Sequence, residues 1–272
     1  MNIFLTGCST GIGYFCAKQL HEDGHKVYAT CRYEKDVKKL EAEGLYAYKL
    51  DLRSSSSIQK AVDWVVEQTD GKIDILFNNG AYGQPGAVED LTREVLKEQF
   101  ETNVFGTQEL TNMVLPYMRQ KGFGRVVYNS SVLGIISMSY RGAYNSSKYA
   151  IEGLCDTLRL ELGGSGIDVV LIEPGPIRSD FRKNALKKFQ ANIDVKNSVH
   201  VKVYEKTLDR LKSAGDAPFM LGSEAVYKVL IKAIESKKPK ARYYVTFPTK
   251  LFGVLKRILP DSLLDKILSK ID

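Results

Sequence analysis

The sequence holds little that could make a metal centre, a disulfide framework or a membrane span. Its 272 residues include three histidines and four cysteines. The cysteines (Cys8, Cys16, Cys31, Cys155) form no CxxC pair and share no metal-ligand spacing with the histidines. Free thiols in a reducing compartment follow, with a cytoplasmic location expected and no metal. No run approaches the roughly twenty apolar residues of a spanning helix. No basic segment precedes the strand-like run at Ile3, so no signal peptide is expected. Internal repeats, low-complexity tracts and linkers are absent, so residues 1–272 read as one domain.

Acidic residues are scarce in the last third. Residues 178–216 carry ten Lys/Arg against five Asp/Glu, and residues 237–272 carry nine against three. The formal net charge is +7, which leaves the rest of the chain at about −4. The positive charge is local, and that excludes general nucleic-acid binding by the whole surface.

What is present is an ordinary globular composition, 44% hydrophobic and 26% charged. Apolar runs at 2–6, 25–30, 45–50, 72–77, 124–129, 167–173 and 243–247 read as strands. Helical patterns lie between them: to about His21, then 34–43, 54–68, 90–120, to about Leu162, and 223–235. This alternation predicts an α/β fold: one Rossmann-type, doubly wound parallel sheet with helices on both faces. A ligand then sits at the strand C-terminal ends. The alternation lapses from 178 to 222, which predicts a substrate lid with helical pieces. A C-terminal helical tail follows at 250–272. There Leu251, Phe252, Leu255, Ile258 and Leu259 share one stripe, and Leu263, Leu264, Ile267, Leu268 and Ile271 another. These faces suit packing on the domain, covering a lipophilic pocket, pairing with another subunit, or a peripheral membrane contact.

Three stretches carry chemistry. After the first strand comes Gly7-x-x-x-Gly11-x-Gly13, then a helix. Glycines there permit a tight turn and let N–H groups approach a pyrophosphate at the helix N-terminus, with Ser9, Thr10 and Ile12 in the loop. Cys8 lies in the same loop, as a small packing residue or a site of thiol sensitivity. Cys31-Arg32 ends the second strand, where an NAD-preferring fold places an acid. Arg32 instead suits the 2′-phosphate of NADP(H), with NAD(H) the alternative. Asp51-Leu52 ends the third strand, where Asp51 faces an adenine or caps a turn. Asn78-Asn79-Gly80 follows the fourth and fits close backbone approach to a ligand. Asn103 sits near Gly106 in mid-helix, at a local cost that implies a kink or a polar role.

Tyr144 and Lys148 stand four apart, on one helix face. A nearby cation favours a phenolate, so the Tyr144 pKa is expected to fall from about 10 toward working pH. That pairing makes a proton donor and acceptor. The three histidines, His21, His25 and His200, read as surface or packing residues.

Taken together these pieces resemble the short-chain dehydrogenase/reductase family. They are Thr6-Gly7-x-x-x-Gly11-x-Gly13, Asp51-Leu52, Asn78-Asn79-Gly80-Ala81, Asn103, Ser131, Tyr144-x-x-x-Lys148 and Pro174-Gly175-x-Ile177. They run in the family's order across residues 2–180, with Ser131 the family's thirteen residues before Tyr144. Two departures stand out. The family's Asn-Asn-Ala-Gly is Asn78-Asn79-Gly80-Ala81, and Ser179 stands where Thr is usual.

The resemblance implies a catalytic set of Asn103, Ser131, Tyr144 and Lys148. In it Asn103 anchors a water on the proton path and Lys148 holds the nicotinamide ribose. Pro174, Gly175, Ile177 and Ser179 contact the cofactor, with the Ser179 hydroxyl near the carboxamide. It further implies hydride transfer between NADP(H) and a carbonyl or alcohol substrate, in a homodimer or homotetramer. Within the family the chain looks like 17β-hydroxysteroid and retinol dehydrogenases and bacterial NADP-dependent aldehyde reductases. A lipophilic aldehyde or ketone is then the expected substrate. The alternatives are an NAD-linked alcohol or hydroxysteroid dehydrogenase and a non-catalytic NADP-binding regulator.

Overall fold

A computed structural model describes residues 1–212 and 217–271. Seven parallel strands form one sheet in the order β3-β2-β1-β4-β5-β6-β7. They are β1 (Asn2–Thr6), β2 (Lys26–Cys31), β3 (Tyr46–Lys49), β4 (Ile75–Asn78), β5 (Gly124–Asn129), β6 (Ile167–Glu173) and β7 (Arg242–Tyr244). The order reverses between β1 and β4. Such a switch point opens a crevice beyond the strand C-termini.

Strand alternation builds two core layers. In β1, Ile3 and Leu5 face α1 (Gly11–Glu22) and α9 (Ser223–Glu235), while Phe4 faces α3 (Ser55–Thr69) and α5 (Gly106–Lys121). All three side chains are fully buried. Each contributes about 1.5–3 kcal/mol of transfer free energy, which ties the switch point to both helix layers. The second helix, α2 (Glu34–Ala42), closes the β2–β3 edge.

The long helix expected over 90–120 is divided. It comprises α4 (Arg93–Phe100), a π-helical turn at Glu101–Phe105, then α5. Asn103 sits in that turn, so its local cost is expressed as a bulge that turns a polar side chain inward. Gly106 follows because a Cβ there would lie 1.7 Å from the Leu52 carbonyl oxygen.

The expected last strand, 243–247, ends at Tyr244. Thr246 takes the N-cap position, and Phe247 and Pro248 open α10 (Phe247–Ile258). Pro favours the first helical turn and cannot donate to a sheet ladder, so helix wins. The lid region does contain helices, α7 (Phe181–Asn192) and α8 (Val201–Lys212). Its residues 213–216 lie outside the described residues, as does the tail's residue 272. The tail forms α10 and α11 (Asp261–Leu268). These pack Phe252, Leu264 and Leu268 on Leu133 and Ile136, beside α6 (Gly142–Glu161), which carries Tyr144 and Lys148.

Candidate active site

The glycines of the first turn are held by contact. A Cβ on Gly13 would meet the Gly7 carbonyl oxygen at 2.2 Å, and one on Gly7 would meet the Gly80 Cα at 2.7 Å. Gly7 and Gly11 take φ of +73° and +58°, which glycine adopts without strain. Thr10 is the N-cap of α1, yet its side chain makes no cap bond. The first N–H groups of α1 thus remain available to an anion beside the loop. Cys8 is fully buried and its Sγ donates to the Leu5 carbonyl. Burial pushes its thiol pKa up, so it is a packing residue rather than a reactive one.

The strand ends are laced together by amides. The Thr6 hydroxyl accepts from the N–H groups of Asn79 (3.0 Å) and Gly80 (2.9 Å). Asn79 Nδ2 donates to the carbonyls of Thr6 and Gly7, while its Oδ1 accepts from Asn129 Nδ2 at 2.9 Å. Thr6, Asn79 and Asn129 were therefore underrated by sequence reasoning. Their signal was position: each ends, or directly follows, a strand beside the switch point. Asn78 turns the other way. Its Nδ2 donates to Thr111 on α5, and the side chain is buried in that layer.

Asn103 is a brace. Its Nδ2 donates to the Tyr82 carbonyl (3.0 Å) and to Ser147 Oγ on α6 (3.1 Å), and its Oδ1 accepts from Tyr82 N–H. Both N–H groups of its side-chain amide are spent on protein partners, so the side chain ties the Tyr82 loop to α6.

Ser131, Tyr144 and Lys148 come together. Ser131 caps the short turn Val132–Gly134 through Leu133 N–H, and its hydroxyl also hydrogen-bonds Tyr144. Lys148 Nζ donates to the Asn129 carbonyl at 2.7 Å and lies 5.6 Å from the Tyr144 ring centroid. The expected fall in the Tyr144 pKa is corrected here. Burial pushes it up to about 12, and the Ser131 bond only partly offsets that. Burial likewise pulls Lys148 down to about 8, opposed by Glu152 one helical turn on. In both groups desolvation by the surrounding protein outweighs pair attraction. Glu152 accepts from Ser130 and pairs with Arg242 at 3.0 Å, so the charge nearest Lys148 is itself anchored.

Of the remaining predicted residues, Pro174, Gly175, Ile177 and Ser179 line the cavity, whereas Arg32, Asp51 and Leu52 do not. Pro174 accepts from Val132 N–H at 2.8 Å, which fixes the turn after β6 to the Ser131 turn. Gly175 allows Thr246 to approach, Ile177 bridges to Leu221, and Ser179 lies against Gly11. Leu52 is buried beneath Gly80. Asp51 is paired with Arg53 at 2.8 Å, and that pairing lowers its pKa. Arg32 stacks on Tyr33, 4.5 Å from its ring centroid, and donates to its hydroxyl.

One cavity of about 1240 Å³ joins these parts. It runs from Ser9, Thr10, Gly11 and Ile12 past Asn79 and Gly80 to Ser131, Tyr144, Lys148, Pro174, Gly175, Ile177 and Ser179. Its far half is mainly apolar, with Leu133, Ile136, Met138, Phe181 and Leu186, and Arg141, Arg182 and Lys183 also reach the lining. Gly13, Arg32, Asp51, Leu52, Asn78 and Asn103 stand outside its lining. The volume exceeds the usual range for one small ligand and suits a dinucleotide with a substrate. The residues present fit that group. The uncapped helix start faces the glycine turn, and Asn129 Oδ1 is buried beside Lys148 with no partner among the described residues. A parallel sheet with a switch point, a phosphate cradle and a Ser–Tyr–Lys group on the cavity wall define an oxidoreductase that works with a nicotinamide dinucleotide on carbonyl or alcohol groups.

Comparison with known proteins agrees. Residues 1–190 match the short chain dehydrogenase family. Over 267 residues the chain is 41% identical to the uncharacterized oxidoreductase YbbO of Escherichia coli K12, covering 98% of this chain and 93% of that one. Over 266 residues it is 32% identical to the 3-ketodihydrosphingosine reductase of Bacteroides thetaiotaomicron, covering 96% and 94%. Among solved structures, the F189W actinorhodin polyketide ketoreductase with NADPH superposes with a TM-score of 0.72. The identity there is 26%, over 90% of this chain and 95% of that one. The chain belongs to the short-chain dehydrogenase family, and it acts on CH–OH groups or the corresponding carbonyls.

Proposed function

We propose that this protein is an NADPH-dependent reductase of a lipophilic aldehyde or ketone, within the part of the family that resembles 17β-hydroxysteroid dehydrogenases and bacterial aldehyde reductases. The observation that carries the reading is the cavity's division. A wall of buried Ser131 and Lys148 with half-buried Tyr144 faces a half lined by Leu133, Ile136, Met138, Phe181 and Leu186. A substrate with a carbonyl at one end and an alkyl or ring body at the other satisfies both. The relative named for 3-ketodihydrosphingosine, a ketone on a long alkyl chain, supports that class.

The bound dinucleotide supplies the hydride. Its pyrophosphate would rest on Gly7–Gly13 and the start of α1, and its ribose on Lys148 and Asn129 Oδ1. Arg32, with no acid in its place at the end of β2, would meet a 2′-phosphate. Ser131 donates a hydrogen bond to the substrate oxygen and stabilises charge as it develops. Tyr144, kept protonated by burial, gives its phenolic proton to that oxygen as the carbonyl becomes an alcohol. Lys148 stabilises the phenolate left behind. Asn103 holds Tyr82 and Ser147 in place, and so sets the seat of α6.

The test is a panel of long-chain aldehydes, long-chain ketones, ketosteroids and retinoids, assayed with NADPH and with NADH. Turnover with NADPH that rises with substrate chain length supports the reading. Preference for NADH, or for short polar carbonyls, overturns it in favour of an NAD-linked dehydrogenase.

A further inference from the structure

The C-terminal helix α10 carries two apolar stripes, and the domain covers one. Phe252 and Leu255 pack inward, with Leu259 just beyond the helix end, against Leu133 and Ile136. On the outer face stand Phe247, Leu251, Val254 and Ile258, at the i, i+4, i+7, i+11 spacing of one helical edge. Their exposures are 56%, 40%, 56% and 66%. Phe219 joins them, 60% exposed, with its ring 5.2 Å from that of Phe247. Phe219 also holds φ at +59°, an unfavourable conformation for a bulky side chain. A strained, exposed aromatic contiguous with a four-residue stripe is not ordinary surface.

Two observations indicate what covers the stripe. Phe219, Phe247 and Leu251 also line the mouth of the substrate cavity, so the patch is continuous with the site. Lys250 and Arg257, seven residues apart, flank the same edge of the stripe. Both are exposed, and neither makes an ion pair with any described residue. A second copy of the chain docked on this edge would bring like charges together. The substrate cannot cover it alone, because Val254 and Ile258 stand beyond the cavity lining. An anionic bilayer supplies both complements at once, acyl chains for the stripe and phosphates for the cations.

We infer that the outer face of α10, with Phe219, docks on an anionic lipid bilayer, so that the cavity mouth opens at the membrane and takes a long-chain carbonyl from it. The route to the cavity rests on the lipophilic-substrate reading, whereas the docking face stands on α10 itself. Peripheral binding of this kind is shallow and reversible, and it needs no spanning helix. Among the described residues no helix is long and apolar enough to cross a membrane.

Flotation of the full chain with vesicles tests docking with no substrate present. Vesicles of phosphatidylcholine with phosphatidylglycerol are compared with phosphatidylcholine alone. The wild type floats with the anionic vesicles and is released by high salt. Val254→Asp/Ile258→Asp loses flotation, because it charges the stripe outside the cavity. Lys250→Gln/Arg257→Gln lowers partitioning by about thirtyfold, since each cation near an anionic surface is worth about 1 kcal/mol. Both variants alter exposed positions outside the catalytic group and keep wild-type turnover on a short, water-soluble aldehyde. A wild type that stays unfloated with anionic vesicles overturns the inference. So do stripe variants that float as well as wild type, or that change only the oligomeric state seen by light scattering. Turnover of detergent-dispersed long-chain carbonyls reads the substrate class separately, so either idea can fail alone.

Discussion

The two walls of the cavity are built differently. On the sheet side, side chains are fixed by directed bonds: Asn79 by Thr6, Gly7 and Asn129, Asn103 by Tyr82 and Ser147, Lys148 by the Asn129 carbonyl. Glycines there sit where a Cβ would overlap backbone. On the other side, α7 and α10 present apolar side chains held by contact, among them Phe181, Leu186, Phe247 and Leu251. Directed bonds fix atoms to a few tenths of an ångström, which proton and hydride transfer require. Apolar contact is tolerant of shape, which suits a substrate with a long body. The chemistry is carried by the rigid wall and the choice of substrate by the adaptable one.

Substitutions on each wall should therefore act on different constants. The largest effect belongs to Tyr144→Phe, which should cut turnover by about 10²–10⁴-fold, the range of a positioned acid–base group. NADPH binding, read by fluorescence titration, should stay nearly unchanged. Near-normal turnover in that variant would remove Tyr144 from the chemistry.

The next largest concerns Lys148 and has a defined pH window. Its pKa stands at about 8 against an ordinary value near 10.5, so the unfolded chain binds the proton more tightly. Between pH 8 and 10.5 the unfolded state holds more protons, and this group's contribution to stability rises with pH. Below pH 8 the buried cation costs about 3 kcal/mol, a figure that follows from the shift itself. Lys148→Met should therefore lose its stability advantage over wild type as pH climbs through that window. Urea unfolding at pH 7.5, 8.5 and 9.5 (about one unit apart) reads the trend. A difference that does not change with pH would show that Lys148 is not desolvated.

Arg32→Ala should raise the KM for NADPH by about 10–100-fold, the loss of one or two charge-assisted bonds, with little change for NADH. Equal changes for both cofactors would remove the argument for a 2′-phosphate. The smallest effect lies on the apolar wall. Leu186→Ala should raise the KM for a long-chain substrate by about tenfold and leave kcat within a few-fold. A collapse of kcat there would erase the distinction between the walls.

Much of the rigid wall was legible in the sequence, because its requirements are local. Glycine after a strand, a serine thirteen residues before a tyrosine, and a lysine four residues after it all leave marks at fixed spacing. The parallel sheet with helices on both faces followed from alternation, whereas the strand order β3-β2-β1-β4-β5-β6-β7 came from the pairing itself. What the sequence hid depended on burial and on long-range partners. The spacing of Tyr144 and Lys148 was visible, but the desolvation that raises one pKa and lowers the other was not. Asn78 and Asn79 are adjacent amides, yet strand alternation sends one to Thr111 in the core and the other to the cavity. Asp51 met Arg53, two residues on, and that pairing competes with any adenine contact. In the tail, the stripe read as Leu251, Phe252, Leu255, Ile258 and Leu259 proved to be two edges. Which edge is covered depends on where Leu133 and Ile136 lie. Composition cannot separate two stripes on one short helix.

The central claim is that hydride passes between nicotinamide and a lipophilic carbonyl at the Ser131–Tyr144–Lys148 wall. The most direct measurement uses NADPH deuterated at C4 of the nicotinamide, in each of its two forms, with a long-chain ketone as acceptor. Deuterium on the carbinol carbon of the product from one form only, lost with Tyr144→Phe, is the predicted result. Product formed without label from either form, or labelled product at an undiminished rate in the variant, would contradict the account.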